Sequence, residues 1–142
     1  MEPRISIITL GVTDSERSLR FYRDGLGFPT TWSADKGVIF FRTGGVCLAL
    51  YPYDALAKDV SGEFLVPRSK FTGITIAHNV RDKDEVDRAL ERAATAGGKI
   101  EKPGKDAEWG GYHGYFSDPD GYLWEVAWGA FEIRDDGTLV IP

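Results

Sequence analysis

One carboxylate stands out among the predicted strands of this 142-residue chain. Glu125 lies four residues after Gly121, the last residue of an Asp-Pro-Asp-Gly turn at 118–121. Strand-favouring aromatic residues flank this turn and predict a β-hairpin. Because the same-face neighbours of Glu125 are Leu123 and Ala127, burying its carboxylate would be costly unless the charge is used. We therefore expect Glu125 to act in ligand recognition or as a general acid or base.

The side of the hairpin that His113 occupies depends on how the two strands pair. If Ser117 pairs with Tyr122 across the turn, His113 faces away from Glu125, and Tyr112 shares the Glu125 side. A shift of one residue places His113 on the Glu125 side instead. Both arrangements stay open at this point, and His113 is a candidate ligand-binding residue.

The other histidine has a clearer prediction. His78 lies three residues after Thr75 on a predicted strand. Strand alternation then places the two side chains on opposite faces, with His78 toward the helices. We interpret His78 as a structural residue.

The first half of the chain contains the elements of one module. A β-branched run at 5–12 predicts a strand, and Thr13 and Glu16 after it have the spacing of a capping box. Apolar residues then recur at helical spacing until Gly27, which is typical of a helix end. Aromatic and apolar runs predict further strands.

The second half repeats this order, which indicates an internal duplication. A run at 74–80 predicts a strand, and Asp82 and Glu85 form a second, weaker capping-box pattern. A helical pattern follows and stops at Gly97 and Gly98. Each half is therefore predicted to be a strand, a helix and then three strands.

The length fits a single domain that holds both modules, since about 100–200 residues per domain is usual. The segment between the modules contains prolines and glycines, so it is either a lid or, as we favour, a plain connection. The tail ends in the apolar run 139–141, which could add a strand to a sheet edge or to a partner. The predicted parts are a first module at 4–51, a connection at 52–70, a second module at 71–129 and a tail at 130–142.

Composition excludes several classes of protein. The net charge of −5, with positive charges scattered among acidic residues, argues against binding nucleic acid or an anionic membrane. A single cysteine, Cys47, allows no internal disulfide and fits a reducing compartment. No leader pattern and no apolar run near the ~18 residues of a membrane span are present. We expect a cytoplasmic protein with no membrane partner.

The paired modules resemble the vicinal oxygen chelate superfamily, which includes glyoxalase I, bleomycin-resistance proteins, fosfomycin-resistance enzymes and extradiol dioxygenases. The likeness is carried by Thr-Leu-Gly-Val-Thr-Asp at 9–14, by Ser-Leu-Arg-Phe-Tyr-Arg-Asp-Gly-Leu-Gly at 18–27, and by the hairpin at 118–125. It implies an α+β fold in which two βαβββ modules form a curved cup of mixed sheet, the glyoxalase/bleomycin-resistance/dioxygenase fold.

In metal-using members, the first and last strands of each module supply metal ligands. The resemblance places these positions at Ile7, Ala49, Thr75 and Glu125, and only Glu125 is a good ligand type. A divalent ion normally needs several carboxylate or imidazole ligands. We therefore expect neither a metal ion nor another cofactor.

A cup without metal can still be a binding pocket, because its predicted lining is mostly apolar with a few polar groups. Aromatic residues near the predicted rim would add contact area, although each could instead complete a core or a dimer interface. The residues expected to bind a ligand are Ile7, Thr9, Trp32, Ala49, Tyr51, Thr75, Trp109, Tyr112 and His113.

Two functions remain from these observations. The first is a metal-free protein, similar to bleomycin-resistance proteins, that binds a small aromatic or cationic molecule. The alternative is a lyase or isomerase of the same superfamily that uses Glu125 as a general acid or base. In either case, exposed strand edges and an apolar tail favour a homodimer.

Overall fold

A computed structural model of the chain describes residues 5–61, 72 and 74–140. These residues form two compact units, divided between residues 69 and 70. Within these ranges, no helix is long and apolar enough to cross a membrane.

The first unit is built on a three-stranded mixed sheet in the order β1-β3-β2, in which β1 and β3 are parallel and β2 and β3 antiparallel. Its elements are β1 (Ile7–Val12), α1 (Ser15–Leu19), a π-helical turn (Arg20–Gly25), a 3-10 turn (Ala34–Lys36), β2 (Ile39–Phe41), β3 (Cys47–Pro52) and α2 (Tyr53–Val60).

The start of α1 differs from the predicted capping box. The N-cap is Asp14, whose carboxylate accepts from the Arg17 backbone N–H at 2.9 Å. Thr13 instead accepts from the Arg17 guanidinium at 3.0 Å. Asp and Thr are both good N-caps, so local spacing did not distinguish them. The helix end is as predicted, because Gly27 has the positive φ of 81° that favours glycine.

The described part of the first unit has one strand fewer than predicted. The segment that contains Pro29 and Thr30 runs beside β2, where the Arg42 N–H donates to the Pro29 carbonyl at 3.0 Å. The Thr30 hydroxyl donates to the Phe40 carbonyl at 2.6 Å. Proline has no N–H to donate, so these contacts do not extend into a ladder.

The predicted connection at 52–70 is also partly wrong. Its first residues complete β3 and form α2, an eight-residue helix. This helix packs against β1, where a Cβ at Gly11 would lie 3.0 Å from the Tyr53 ring. Residues 62–70 of the predicted connection lie outside the described residues.

The second unit is a complete βαβββ module. Its sheet has the order β4-β7-β6-β5, with β4 and β7 parallel and the other pairs antiparallel. The elements are β4 (Thr75–Asn79), α3 (Lys83–Thr95), β5 (Lys99–Asp106), β6 (Tyr112–Ser117) and β7 (Leu123–Trp128). The short strands β8 (Glu132–Ile133) and β9 (Leu139–Val140) follow and pair with each other, so this part of the tail folds back on its own chain.

Helix α3 covers one face of this sheet. The predicted capping box at its start is confirmed, since Glu85 accepts from the backbone N–H of Asp82 at 3.2 Å. Its apolar stripe is buried, and a Cβ at Gly114 of β6 would lie 2.6 Å from Leu90 of the helix. We call the opposite side of this sheet the front face. By strand alternation, it includes His113, Tyr115 and Ser117 of β6.

The turn between β6 and β7 sets their pairing. The Asp118 carboxylate accepts from the backbone N–H groups of Asp120 at 2.9 Å and Tyr122 at 2.8 Å. The Asp118 N–H in turn donates to the Tyr122 carbonyl at 3.0 Å. Since Asp118 thus lies opposite Tyr122, Ser117 pairs with Leu123. The pairing of Ser117 with Tyr122 considered above does not occur.

We expect Asp118→Ala to destabilise the protein by about 1–3 kcal/mol, because two backbone donors lose a charged acceptor at a site that is only 4 % exposed. Urea unfolding would measure this loss. Asp118→Asn, which keeps an acceptor oxygen, is the matched control and should lose less. An Ala variant as stable as the natural protein would contradict this role of the turn.

Candidate functional site

Glu125 and His113 form a hydrogen-bonded pair on the front face. The register sets Tyr115 opposite Glu125 and His113 opposite Ala127, so all four side chains share one face. The His113 Nδ1 and Glu125 Oε1 atoms are 2.6 Å apart, and the two side chains are only 13 % and 23 % exposed. Glu125 therefore has a partner, and of the two hairpin pairings considered from the sequence, the structure has the one that places His113 beside Glu125.

Lys102 extends this pair, although no pattern in the sequence predicted it. Its Nζ atom lies 2.8 Å from His113 Nε2. Plain alternation from Lys99, which faces Ser117, would put Lys102 on the α3 face. The pairing instead shifts between Ile100 and Lys102, so that Lys102 lies opposite Tyr115. A β-bulge of this kind redirects a side chain, and nothing in the local sequence marked it.

Gly114 allows the bulged strand to approach β6. A Cβ at this position would lie 2.7 Å from the Lys102 carbonyl oxygen and 3.0 Å from the Gly104 nitrogen. The first distance is shorter than real Cβ atoms show, and the second is tighter than most real Cβ contacts. The absence of a Cβ at Gly114 is therefore part of what positions Lys102.

These contacts assign the tautomer of the His113 ring. A lysine ammonium has donors but no acceptor, so His113 Nε2 must accept from Lys102. The imidazole proton is then assigned to Nδ1, which donates to the Glu125 carboxylate. Lys102, His113 and Glu125 thus form a hydrogen-bonded chain with a cation at one end, a neutral ring in the middle and an anion at the other. We call it the Lys-His-Glu chain.

Tyr115 completes the surroundings of Glu125. Burial raises the pKa of Tyr115, and the hydrogen bond to Glu125 and the charge of that carboxylate raise it further. The phenol therefore stays protonated and donates to Glu125. Lys102 Nζ lies 5.5 Å from the centre of the Tyr115 ring, within the range of a cation–π contact.

Trp109 forms an aromatic wall beside the chain. Its ring meets His113 edge to face, with the ring centres 5.9 Å apart, and also lies against Phe131. Two glycines make room for it, because a Cβ at Gly111 or Gly129 would overlap the indole. Trp109 is nevertheless 53 % exposed, so part of its ring remains free for contact with another molecule.

Other predicted residues of the second unit lie elsewhere. Tyr112 belongs to the α3 side, where its hydroxyl donates to Asp87 at 3.1 Å, so its placement beside Glu125 is wrong. Thr75 is on the front face but pairs with Leu123. His78 pairs with Val126 and lies on the α3 side, as predicted.

The remaining candidates share one face of the first unit's sheet. In the parallel register of β1 and β3, Thr9 pairs with Ala49, and Ile7 and Tyr51 have the same orientation two residues away. Trp32 contacts the ring of Phe40, which pairs with Ala49 in β2. The structure thus divides the predicted ligand-binding residues into two groups, one in each unit, and in the second unit it places His113 next to the ionisable side chains of Glu125 and Lys102.

The residues present do not suit the metal site of the vicinal oxygen chelate family. Ile7 and Ala49 have no side-chain donor atom, and Thr75 offers only a neutral hydroxyl. Both nitrogens of His113 are engaged, and the Lys102 ammonium at 2.8 Å would repel a cation at Nε2. Across the described residues, no group of three or more His, Cys, Asp or Glu side chains could hold a metal ion.

Comparison with known proteins identifies the family. The family model of the Glyoxalase/Bleomycin resistance protein/Dioxygenase superfamily matches residues 4–126. The chain belongs to this superfamily. Its α+β fold is therefore confirmed.

Individual relatives agree with this assignment. A glyoxalase-related enzyme from Fulvimarina pelagi is 34 % identical, with a TM-score of 0.87 and 98 % of each chain covered. Lactoylglutathione lyase from Agrobacterium tumefaciens is 25 % identical, with a TM-score of 0.67 over 89 % of this chain and 94 % of the lyase. The uncharacterized Bacillus subtilis (strain 168) protein YraH is 30 % identical over 128 residues, which cover 84 % of this chain and 93 % of YraH.

The contact between Tyr115 and Glu125 gives a titration prediction. Glu125→Gln removes a negative charge beside the phenol, so the pKa of Tyr115 should fall toward its usual value while burial still holds it above that value. Ultraviolet titration of tyrosinate absorbance would measure the shift. Glu101→Gln is the control, because Glu101 contacts Lys99 and Ser117. An equal shift in both variants would refute the specific contact.

Proposed function

We propose that this superfamily member binds a small organic molecule on the front face of its second unit, without a metal ion. The observation that carries this proposal is the Lys-His-Glu chain beside the exposed ring of Trp109. Small-molecule sites typically combine aromatic surface with a few fixed polar groups. Here each polar side chain of the Lys-His-Glu chain is held by a neighbour, so these side chains would lose little conformational entropy when a ligand binds.

The metal-free part of the proposal rests on the donor atoms. Lys102 places a positive charge at His113 Nε2, the atom that a metal ion would have to bind. The same charge lets this site interact with polar ligands directly. We infer that ligand binding here is insensitive to chelators.

The test is a fluorescence and thermal-shift screen of small aromatic acids, amides and amines in the presence of EDTA. For a compound that binds, Trp109→Leu should weaken affinity about tenfold, since an aromatic contact is lost together with buried area. Trp32→Leu is the matched control, because Trp32 is an exposed tryptophan of the first unit. Binding that requires Trp32 rather than Trp109, or that EDTA abolishes, would contradict the proposal.

The alternative is a metal-independent lyase or isomerase. The 2.6 Å contact between His113 and Glu125 favours it, because a carboxylate with a hydrogen-bonded imidazole can take a proton from a carbon beside a carbonyl and return it to the neighbouring carbon. Turnover of a methylglyoxal–thiol adduct in EDTA, lost in Glu125→Gln, would favour this enzyme over a binding protein.

We also propose that the chain forms a homodimer. Strands β1 and β4 each lie at one edge of their sheet, and Ile7 on β1 and Ile74 next to β4 are exposed apolar residues. Edge strands with exposed apolar side chains favour association. Light scattering at micromolar concentration should therefore give about twice the chain mass of 15.7 kDa. A mass equal to one chain would refute the dimer.

A further inference from the structure

We propose that the ligand is a small aromatic carboxylate whose anionic group binds Lys102 while its ring lies against Trp109. This inference rests on the proposed function and names the chemical class of its ligand. Of the small aromatic or cationic molecules expected from the sequence, it keeps the aromatic ring and replaces the positive charge by a negative one.

The bulges of β5 place a row of lysines on the front face. In the register of β5 with β6, Lys99 lies opposite Ser117, Lys102 opposite Tyr115 and Lys105 opposite His113. Three lysines of one strand therefore share the front face. This edge of the sheet is locally basic, although the whole chain carries a net charge of −5.

The carboxylates of Glu101 and Glu125 already accept hydrogen bonds from other residues. Glu101 accepts from Lys99 at 2.8 Å and from Ser117 at 2.8 Å. Glu125 accepts from His113 and from Tyr115. Neither carboxylate is in direct contact with Lys102.

The Lys102 ammonium still has a donor to offer a ligand. Among the described residues, its contacts are the neutral Nε2 of His113 and the ring of Tyr115. An ammonium has three donors, and a charge-assisted bond to a carboxylate would use one that these contacts leave. An aromatic cation at the same place would meet a like charge.

Trp109 and Lys102 lie close enough for one small molecule to contact both. Trp109 and Lys102 both contact His113, with the Trp109 ring centre 5.9 Å from that of the imidazole and Lys102 Nζ 2.8 Å from Nε2. A single bicyclic acid can therefore touch the indole and the ammonium together. The imidazole between them, fixed by Glu125, would form the floor of the site.

The experiment compares three probes that share one ring: 2-naphthoate, 2-naphthamide and 2-naphthylmethylamine, titrated by calorimetry in EDTA. We expect 2-naphthoate to bind at least tenfold more tightly than the amide, and the amine to be weakest. Raising the salt concentration should weaken binding of the carboxylate more than that of the amide.

Two variants locate the anion. Lys102→Met should reduce the affinity for 2-naphthoate about tenfold or more and change that for the amide little, whereas Lys102→Arg should retain most of it. Lys83→Met is the control, because it removes the same charge from the α3 side, where Lys83 pairs with Asp106. Thermal melts verify that each variant is folded.

The outcomes separate the two proposals. Equal binding of the acid and the amide, preference for the amine, no binding of the acid, or an acid affinity unchanged by Lys102→Met would overturn the carboxylate inference. If other aromatic compounds still bind through Trp109, the proposed small-molecule function stands. A screen in which no aromatic compound binds through Trp109 would overturn both.

Discussion

The hydrogen bonds of Asp118 determine which side chains the front face of the second unit presents. By accepting from two backbone N–H groups of its own turn, this buried carboxylate places itself opposite Tyr122 and sets the pairing of β6 with β7. The side-chain period of a strand is two, so a shift of one residue would exchange the two faces. His113 meets Glu125 only because the pairing begins at Ser117 and Leu123.

A second constraint acts on the other side of β6. The bulges of β5 interrupt its regular pairing with β6. As a result, Lys102 reaches His113 rather than the α3 side. The close approach requires Gly114, whose missing side chain leaves space for the Lys102 carbonyl and for Leu90. A small residue on the helix-covered face thus controls the charge presented on the opposite face.

The outcome is a familiar fold with a different local chemistry. The resemblance implies a metal-ligand position at Glu125, whereas here Glu125 accepts from an imidazole and a phenol. The Lys102 ammonium places a positive charge next to His113, and the imidazole links it to the Glu125 carboxylate. This is consistent with the general observation that function belongs to sites placed on folds rather than to folds.

The sequence by itself determined the features that depend on a few neighbouring residues. The capping box of Asp82 and Glu85, the helix end at Gly27, the turn at 118–121 and the orientation of His78 follow from contacts or alternation within one element. The superfamily fold was predicted from a resemblance that three motifs carry along the chain. Only the tertiary structure decided the partner of Glu125, the position of Lys102, the α3-side placement of Tyr112 and the helix at Tyr53–Val60. These depend on strand register, bulges and packing between segments distant in the chain, and register is a choice between pairings of similar local quality. A shift of one residue in the strand pairing changes neither the composition nor the periodicity of the sequence. It nevertheless decides which side chains lie close enough to exchange a proton or to bind an anion together.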